Sequence, residues 1–157
     1  MLVSRGMRAS LTEPFEDNTM NASTTTAATQ LFARALMSVI FLTAGVSKIG
    51  AYAGTQAYME SMGVPGAMLP LVIALEIGAG LAVLLGWQTR ISAFLLAGFS
   101  VLSALVFHAD FGDQMQSILF MKNLAMAGGL LMLVAHGAGS WSIDARLQSP
   151  RGGFSHA

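Results

Sequence analysis

Four apolar runs divide the chain, at residues 31–49, 67–86, 91–107 and 117–136. Each is close to the ~20 residues that an α-helix needs to cross a bilayer. None alternates with period two, and polar positions within them are few, as expected of helices that face lipid rather than water. The runs are joined by short connections, which imply antiparallel neighbours. The pattern therefore predicts an all-α fold: a polytopic membrane protein built as an antiparallel four-transmembrane-helix bundle. That domain is expected over residues 30–147, between flexible tails at 1–29 and 148–157.

The flanks and connections carry their own signals. Residues 1–29 hold Glu13, Pro14, Glu16, Asp17 and Asn18 and then a Ser/Thr/Ala run, a composition expected to be mostly disordered. Met1, Met7 and Met20 are three candidate starts for translation. Ala51-Tyr52-Ala53 resembles a signal-peptidase site, but the long acidic leader and the position of Lys48 argue against cleavage. The connection 50–66 contains Tyr52, Tyr58 and a Gly63-Val64-Pro65-Gly66 turn, which suits a short interfacial helix. Pro70 falls in the first turn of the second run, where a missing N–H costs little. Trp87 and Trp141 stand beside run ends, as interfacial anchors do.

Composition strengthens this picture. The chain has 157 residues, 54% hydrophobic and 10% charged, with a mean hydropathy of +0.63. A soluble domain carries about 25% charged residues, so this chain cannot cover a water-facing surface. Its formal net charge is zero and it has no basic run, which leaves no footprint for nucleic acid. It has no cysteine, which excludes thiol catalysis, thiolate metal sites and disulfides.

Cations set the expected orientation. With the N-terminus inside, Arg5, Arg8, Arg34, Arg90, Arg146 and Arg151 share one side, and only Lys48 and Lys122 fall on the other. Both termini are therefore expected on the cytoplasmic side of a bacterial inner membrane. Small residues four apart (Ala74, Gly78 and Ala82; Ala93 and Ala97; Ala125 and Gly129) are expected where backbones approach.

The fourth run holds Lys122 and Asn123 side by side near its start. A lysine at mid-membrane opposes insertion by about 3 kcal/mol, against roughly 0.3–0.6 gained per Leu, Ile, Phe or Val. Lys122 therefore needs a headgroup or a partner. Glu76 falls near the centre of the second run, roughly 13 Å deep at 1.5 Å per residue, and Lys122 roughly 8 Å deep. Glu76 shares a helical face with Ala79 and Gly80, and Lys122 with Ala125 and Gly129. Both are expected to look inward, where Glu76 and Lys122 would pair, with Lys48 as the rival partner for Glu76. Lys48, Asn123 and His108 lie towards the same side, completing a candidate polar ligand or proton site.

Plainer explanations stand beside this one. An ion pair can serve helix register alone, and His108 can simply occupy an interface. Arg34, Ser38, Phe41, Gly45 and Lys48 fall on one stripe of the first helix, and both cations can snorkel to opposite headgroup layers. The eleven methionines are flexible packing residues before they are ligands. A haem would want paired axial ligands, but His108 and His136 lie at opposite ends of their helices, so neither haem nor another metal is expected. No Ser-His-Asp arrangement is apparent, and no catalytic residue is assigned.

The ordered set of residues resembles the DoxX family of small four-helix membrane proteins. The matching pieces begin with Arg34 ahead of Phe41-Leu42-Thr43-Ala44-Gly45-Val46-Ser47-Lys48. Next come Glu76-Ile77-Gly78-Ala79-Gly80 and Leu85-Gly86-Trp87-Gln88-Thr89-Arg90. They continue with His108, Phe120-Met121-Lys122-Asn123 and Gly128-Gly129-Leu130-Leu131, and end at Gly137-Ala138-Gly139-Ser140-Trp141-Ser142-Ile143-Asp144. The resemblance spans residues 31 to about 147. It makes Arg34, Arg90, Trp87, Trp141 and Asp144 candidate structural or interfacial residues.

Members of that family include a subunit linked to a terminal quinol oxidase and one of a thiosulfate:quinone oxidoreductase, and others resemble components of oxidative-stress complexes. The resemblance thus implies a redox-associated subunit that uses a quinone, a redox partner protein or a second copy of itself. Any enzymatic role would be that of an oxidoreductase-associated subunit without a metal or thiol centre of its own. Two readings follow. The chain binds a quinone or similar apolar ligand in the outer half of the bundle, or it is a scaffold or assembly factor. Transport is less supported, because no broken helix or repeat pair is visible.

Overall fold

A computed structural model describes residues 6–149, with side chains from residue 23 onward. The elements are α1 (Gly6–Gly50), α2 (Tyr52–Ser61), a 3-10 turn (Gly66–Met68), α3 (Leu69–Leu85), α4 (Thr89–Phe107), α5 (Gln114–His136) and α6 (Ile143–Gln148). The described residues contain no strand. Four stretches are long and apolar enough to cross a membrane: Ser23–Gly50, Gly66–Leu85, Thr89–Phe107 and Gln114–His136. The expected all-α architecture with four membrane helices is therefore present.

Helix ends follow local chemistry. Gly86 adopts the left-handed conformation (φ 71°) and closes α3. The Trp87 amide donates to Ala82 O and the Gly86 amide to Val83 O, a Schellman arrangement that satisfies carbonyls otherwise orphaned at a helix end. Asp113 caps α5, accepting hydrogen bonds from the Met115 and Gln116 amides. The expected interfacial helix is α2, and Pro70 sits in the first turn of α3.

One boundary differs clearly. α1 starts at Gly6, so residues 23–29, expected in the tail, are helical, and Ala27 is buried. Extending an existing helix needs no new nucleus, so the apolar segment that follows can carry the helix back through a run of four threonines, one serine and two alanines. Residues 1–5 and 150–157, which belong to the two expected tails, lie outside the described residues.

α1 packs chiefly on α3, α3 on α4, and α4 on α5, while α1 and α5 touch only lightly. Phe41, Val83, Ala93, Leu96, Ala97, Ala127 and Leu130 form the buried cluster between them. Large side chains such as Phe32, Leu71, Phe94, Leu102 and Met121 point outward, as befits a lipid-facing shell. Of the small residues expected at close approaches, Ala82, Ala93 and Ala97 are buried, but Ala74, Gly78 and Ala125 are exposed. The tight contacts are made instead by Gly45 and Gly80. A Cβ on Gly45 would lie 2.7 Å from Ile77 Cγ1, and one on Gly80 3.2 Å from Leu42 Cδ2.

Candidate functional site

Glu76 and Lys48 meet because α1 can lie against α3. A Cβ on Gly45 would stand 3.3 Å from the Glu76 Cβ, so the missing side chain sets the spacing at that level. Lys48 lies one turn further along α1, on the same face as Gly45. Its Nζ donates to Glu76 Oε1 at 2.8 Å. Glu76 is 3% exposed. Its second oxygen, Oε2, is buried with no hydrogen-bond partner.

The ion pair borders a cavity of about 420 Å³ between α1, α2, α3 and α4. Lys48, Glu76 and His108 line it together with the hydroxyl-bearing Thr55, Tyr58 and Ser103, and Met59, Val72 and Phe99 are among its apolar walls. Tyr58 of α2 stacks on Phe107 at the end of α4, with ring centroids 5.6 Å apart, which holds α2 across this end of the bundle. His108 follows α4 and is half-buried. Its Nδ1 lies 2.8 Å from Gln116 Oε1. A side-chain amide oxygen can only accept, so His108 Nδ1 donates and Nε2 is left as an acceptor in the neutral ring.

Of the five residues proposed for the polar site, the structure brings together Lys48, Glu76 and His108. It does not bring Lys122 or Asn123. Lys122 is exposed on α5, and the expected Glu76–Lys122 pairing is replaced by Glu76–Lys48. The reason is rotational: α5 buries Asn123, Ala127 and Leu130, and adjacent residues on a helix differ by about 100°. With Asn123 inside, Lys122 cannot be. Asn123 donates from Nδ2 to Leu119 O within its own helix, at 2.9 Å. Gln116 and Tyr58 had not been singled out as site residues. The sequence signal for Gln116 was its place across a short hairpin from His108.

The opposite end of the bundle is tied together differently. Arg34 does not snorkel: it is 1% exposed. Its Nη2 donates to the backbone carbonyl of Trp141, while Nε and Nη1 are buried without partners. The Asp144 amide donates to Gly86 O at 2.8 Å. In return, Asp144 Oδ1 accepts from the Gln88 amide at 2.8 Å and Oδ2 from the Thr89 amide at 2.9 Å. Asp144 thereby caps α4 from another part of the chain. Its carboxyl is held below the ordinary carboxylate value: partial burial opposes ionisation, but the hydrogen bonds from Thr89 and Gln88 and the Arg34 charge outweigh it. Arg90, Trp87 and Trp141 are exposed around this end. Arg90 lines a polar cleft of about 530 Å³ together with His136 and Asp144.

Arg34, Lys48, Glu76 and His108 all fall within residues 29–109, the span matched by the DoxX family model. The chain belongs to the DoxX family. It is 56% identical over 114 residues to "Inner membrane protein YqjF" of Escherichia coli (strain K12), a match covering 73% of this chain and 88% of the relative. A second relative from that organism, "Inner membrane protein YphA", is 35% identical over 123 residues, covering 74% of this chain and 88% of its own. No solved structure matches. The DoxX match ends before α5, so Gln116, Lys122, Asn123 and Asp144 lie beyond it. This DoxX protein thus has relatives named as inner membrane proteins and four helices of membrane-spanning length.

Proposed function

We propose that this DoxX protein is a redox-associated accessory subunit of the inner membrane, and that the cavity beside Lys48 and Glu76 binds a quinone-type ligand. In this reading both termini are cytoplasmic and the cavity lies in the outer half of the bundle. One observation carries the proposal: a membrane-embedded carboxylate, paired on one oxygen and unpartnered on the other, borders an apolar cavity. Intramembrane ionisable residues mark functional sites by default. The volume lies within the roughly 300–1,000 Å³ of small-molecule sites, and apolar walls with few polar groups suit an amphipathic molecule.

Lys48, Glu76 and His108 would hold the polar head, and the side chains of Val72 and Phe99 the apolar body. Bound there, a quinone would supply two-electron redox chemistry that this cysteine-free chain lacks. The protein's part is to orient the head and to offer hydrogen-bonding groups away from bulk water.

The test is mass spectrometry of small molecules co-purifying with wild type, Lys48→Met and Lys122→Met. The expected result is a stoichiometric quinone-type ligand, in either redox form, in wild type and in Lys122→Met, lost in Lys48→Met. Absence of both quinone and hydroquinone from wild type would overturn the proposal and favour a scaffold in which the ion pair fixes helix register.

A further inference from the structure

Apart from Lys48 and three adaptable hydroxyls, the polar groups that line the cavity are acceptors. Glu76 Oε1 accepts from Lys48 Nζ at 2.8 Å, and in such an ion pair both oxygens of the carboxylate only accept. Its Oε2 has no donor. In the neutral ring His108 Nδ1 donates to Gln116 Oε1 at 2.8 Å, and Nε2 is then a second acceptor. Both residues line the same cavity. The remaining protons of Lys48 can serve either a carbonyl or a hydroxyl oxygen, so they do not discriminate between heads.

We infer that this cavity selects the reduced, dihydroxy form of its ligand, a hydroquinone, over the dicarbonyl quinone. Glu76 Oε2 and His108 Nε2 are the acceptors for its two hydroxyls. The inference rests on the quinone-site reading above and adds the redox form that the site prefers. A quinone has no proton to give to either atom, and its carbonyl oxygens would face acceptor lone pairs. A site whose buried polar groups are left unpaired rejects the analogue lacking the matching group. Thr55, Tyr58 and Ser103 also border the cavity, but hydroxyls donate or accept by rotation and so adapt to either form.

The experiment is equilibrium binding to the full chain in lipid nanodiscs under anaerobic conditions. Three probes share one decyl tail: a benzohydroquinone, the corresponding benzoquinone, and the bis-O-methyl ether of the hydroquinone. Wild type is expected to bind the hydroquinone at least about tenfold more tightly than either other probe. Glu76→Gln, which presents an amide where the carboxylate stood, should reduce that preference to about threefold or less. If Glu76→Gln does not accumulate, His108→Phe alters a half-buried residue at a helix end and should weaken hydroquinone binding more than quinone binding, cutting the preference to about threefold or less. Equal binding of hydroquinone and quinone to wild type, or full preference retained in both variants, would overturn the inference and leave the quinone site standing. Failure of all three probes to bind wild type would remove the site itself.

Discussion

The two ends of the bundle use similar charges in opposite ways. At one end Arg34 and Asp144 are tied into backbone: Arg34 bonds the Trp141 carbonyl, and Asp144 holds the Gln88 and Thr89 amides while its own amide bonds Gly86. At the other, Lys48 and Glu76 bond each other and border a cavity. The first arrangement joins three separate stretches of chain: α1, the α3–α4 turn and the segment that follows α5. The second joins only α1 and α3, and it leaves one buried carboxylate oxygen without a partner on a residue that borders the cavity. Both Asp144 oxygens are taken up by backbone amides, whereas Glu76 has one oxygen paired with Lys48 and one without a partner.

The comparison can be broken most severely at Gly86. Its φ of 71° is a left-handed conformation, and an added Cβ would fall 2.4 Å from Ser142 Cβ and closer still to the Arg34 guanidinium. Backbone strain and overpacking should together cost about 2–6 kcal/mol for Gly86→Val. The expected outcome is loss of folded protein, read by size-exclusion chromatography after detergent extraction.

Lys48→Met comes next. It leaves a 3% exposed carboxylate without its partner, and removing one member of a buried pair costs about 3–5 kcal/mol, less here because Lys48 is partly exposed. The double variant Lys48→Met/Glu76→Leu should recover most of that loss in a thermal unfolding assay in detergent, yet bind no ligand. Recovery of stability without recovery of binding would separate a ligand site from a register pair.

Asp144→Asn should cost about 1–2 kcal/mol, the scale of a lost helix cap. The sign of its pH dependence follows from the lowered carboxyl value. A carboxylate whose value is depressed by folding stabilises the folded chain above its unfolded value, and that contribution is lost as pH falls through the folded one. The stability gap between wild type and Asp144→Asn should therefore be constant near neutrality and close under acid, as unfolding curves at stepped pH would record. Smallest of all, Lys122→Met should change stability by less than about 0.5 kcal/mol, because the side chain is exposed.

Much of the fold was legible because crossing a bilayer constrains the sequence so strongly. Length and hydropathy located the four membrane helices, and the Gly63–Gly66 and Gly86 turns marked breaks between elements. The neighbours of Glu76 also identified its inward face, since Gly80 and Glu76 are both buried. The start of α1 was less legible, because residues 23–29 are polar enough to read as a tail although alanine and threonine can continue a helix. Gln116 was obscure for another reason: its amide matters only through the ring of His108 across a hairpin.

The sequence by itself determined the number of membrane helices, the family, and the presence of intramembrane charge that needs a partner. Tertiary structure decided which charges meet. Glu76 had two candidate cations, and periodicity along single helices could not choose between them, because the rotation of each helix is set by its neighbours. Gly45 and Gly80 bring α1 against α3 and put Lys48 in reach of Glu76, while the burial of Asn123 turns Lys122 outward. In the same way, only the return of the chain after α5 could bury Arg34, by bringing the Trp141 carbonyl to a guanidinium that on an isolated helix would have stayed with the headgroups.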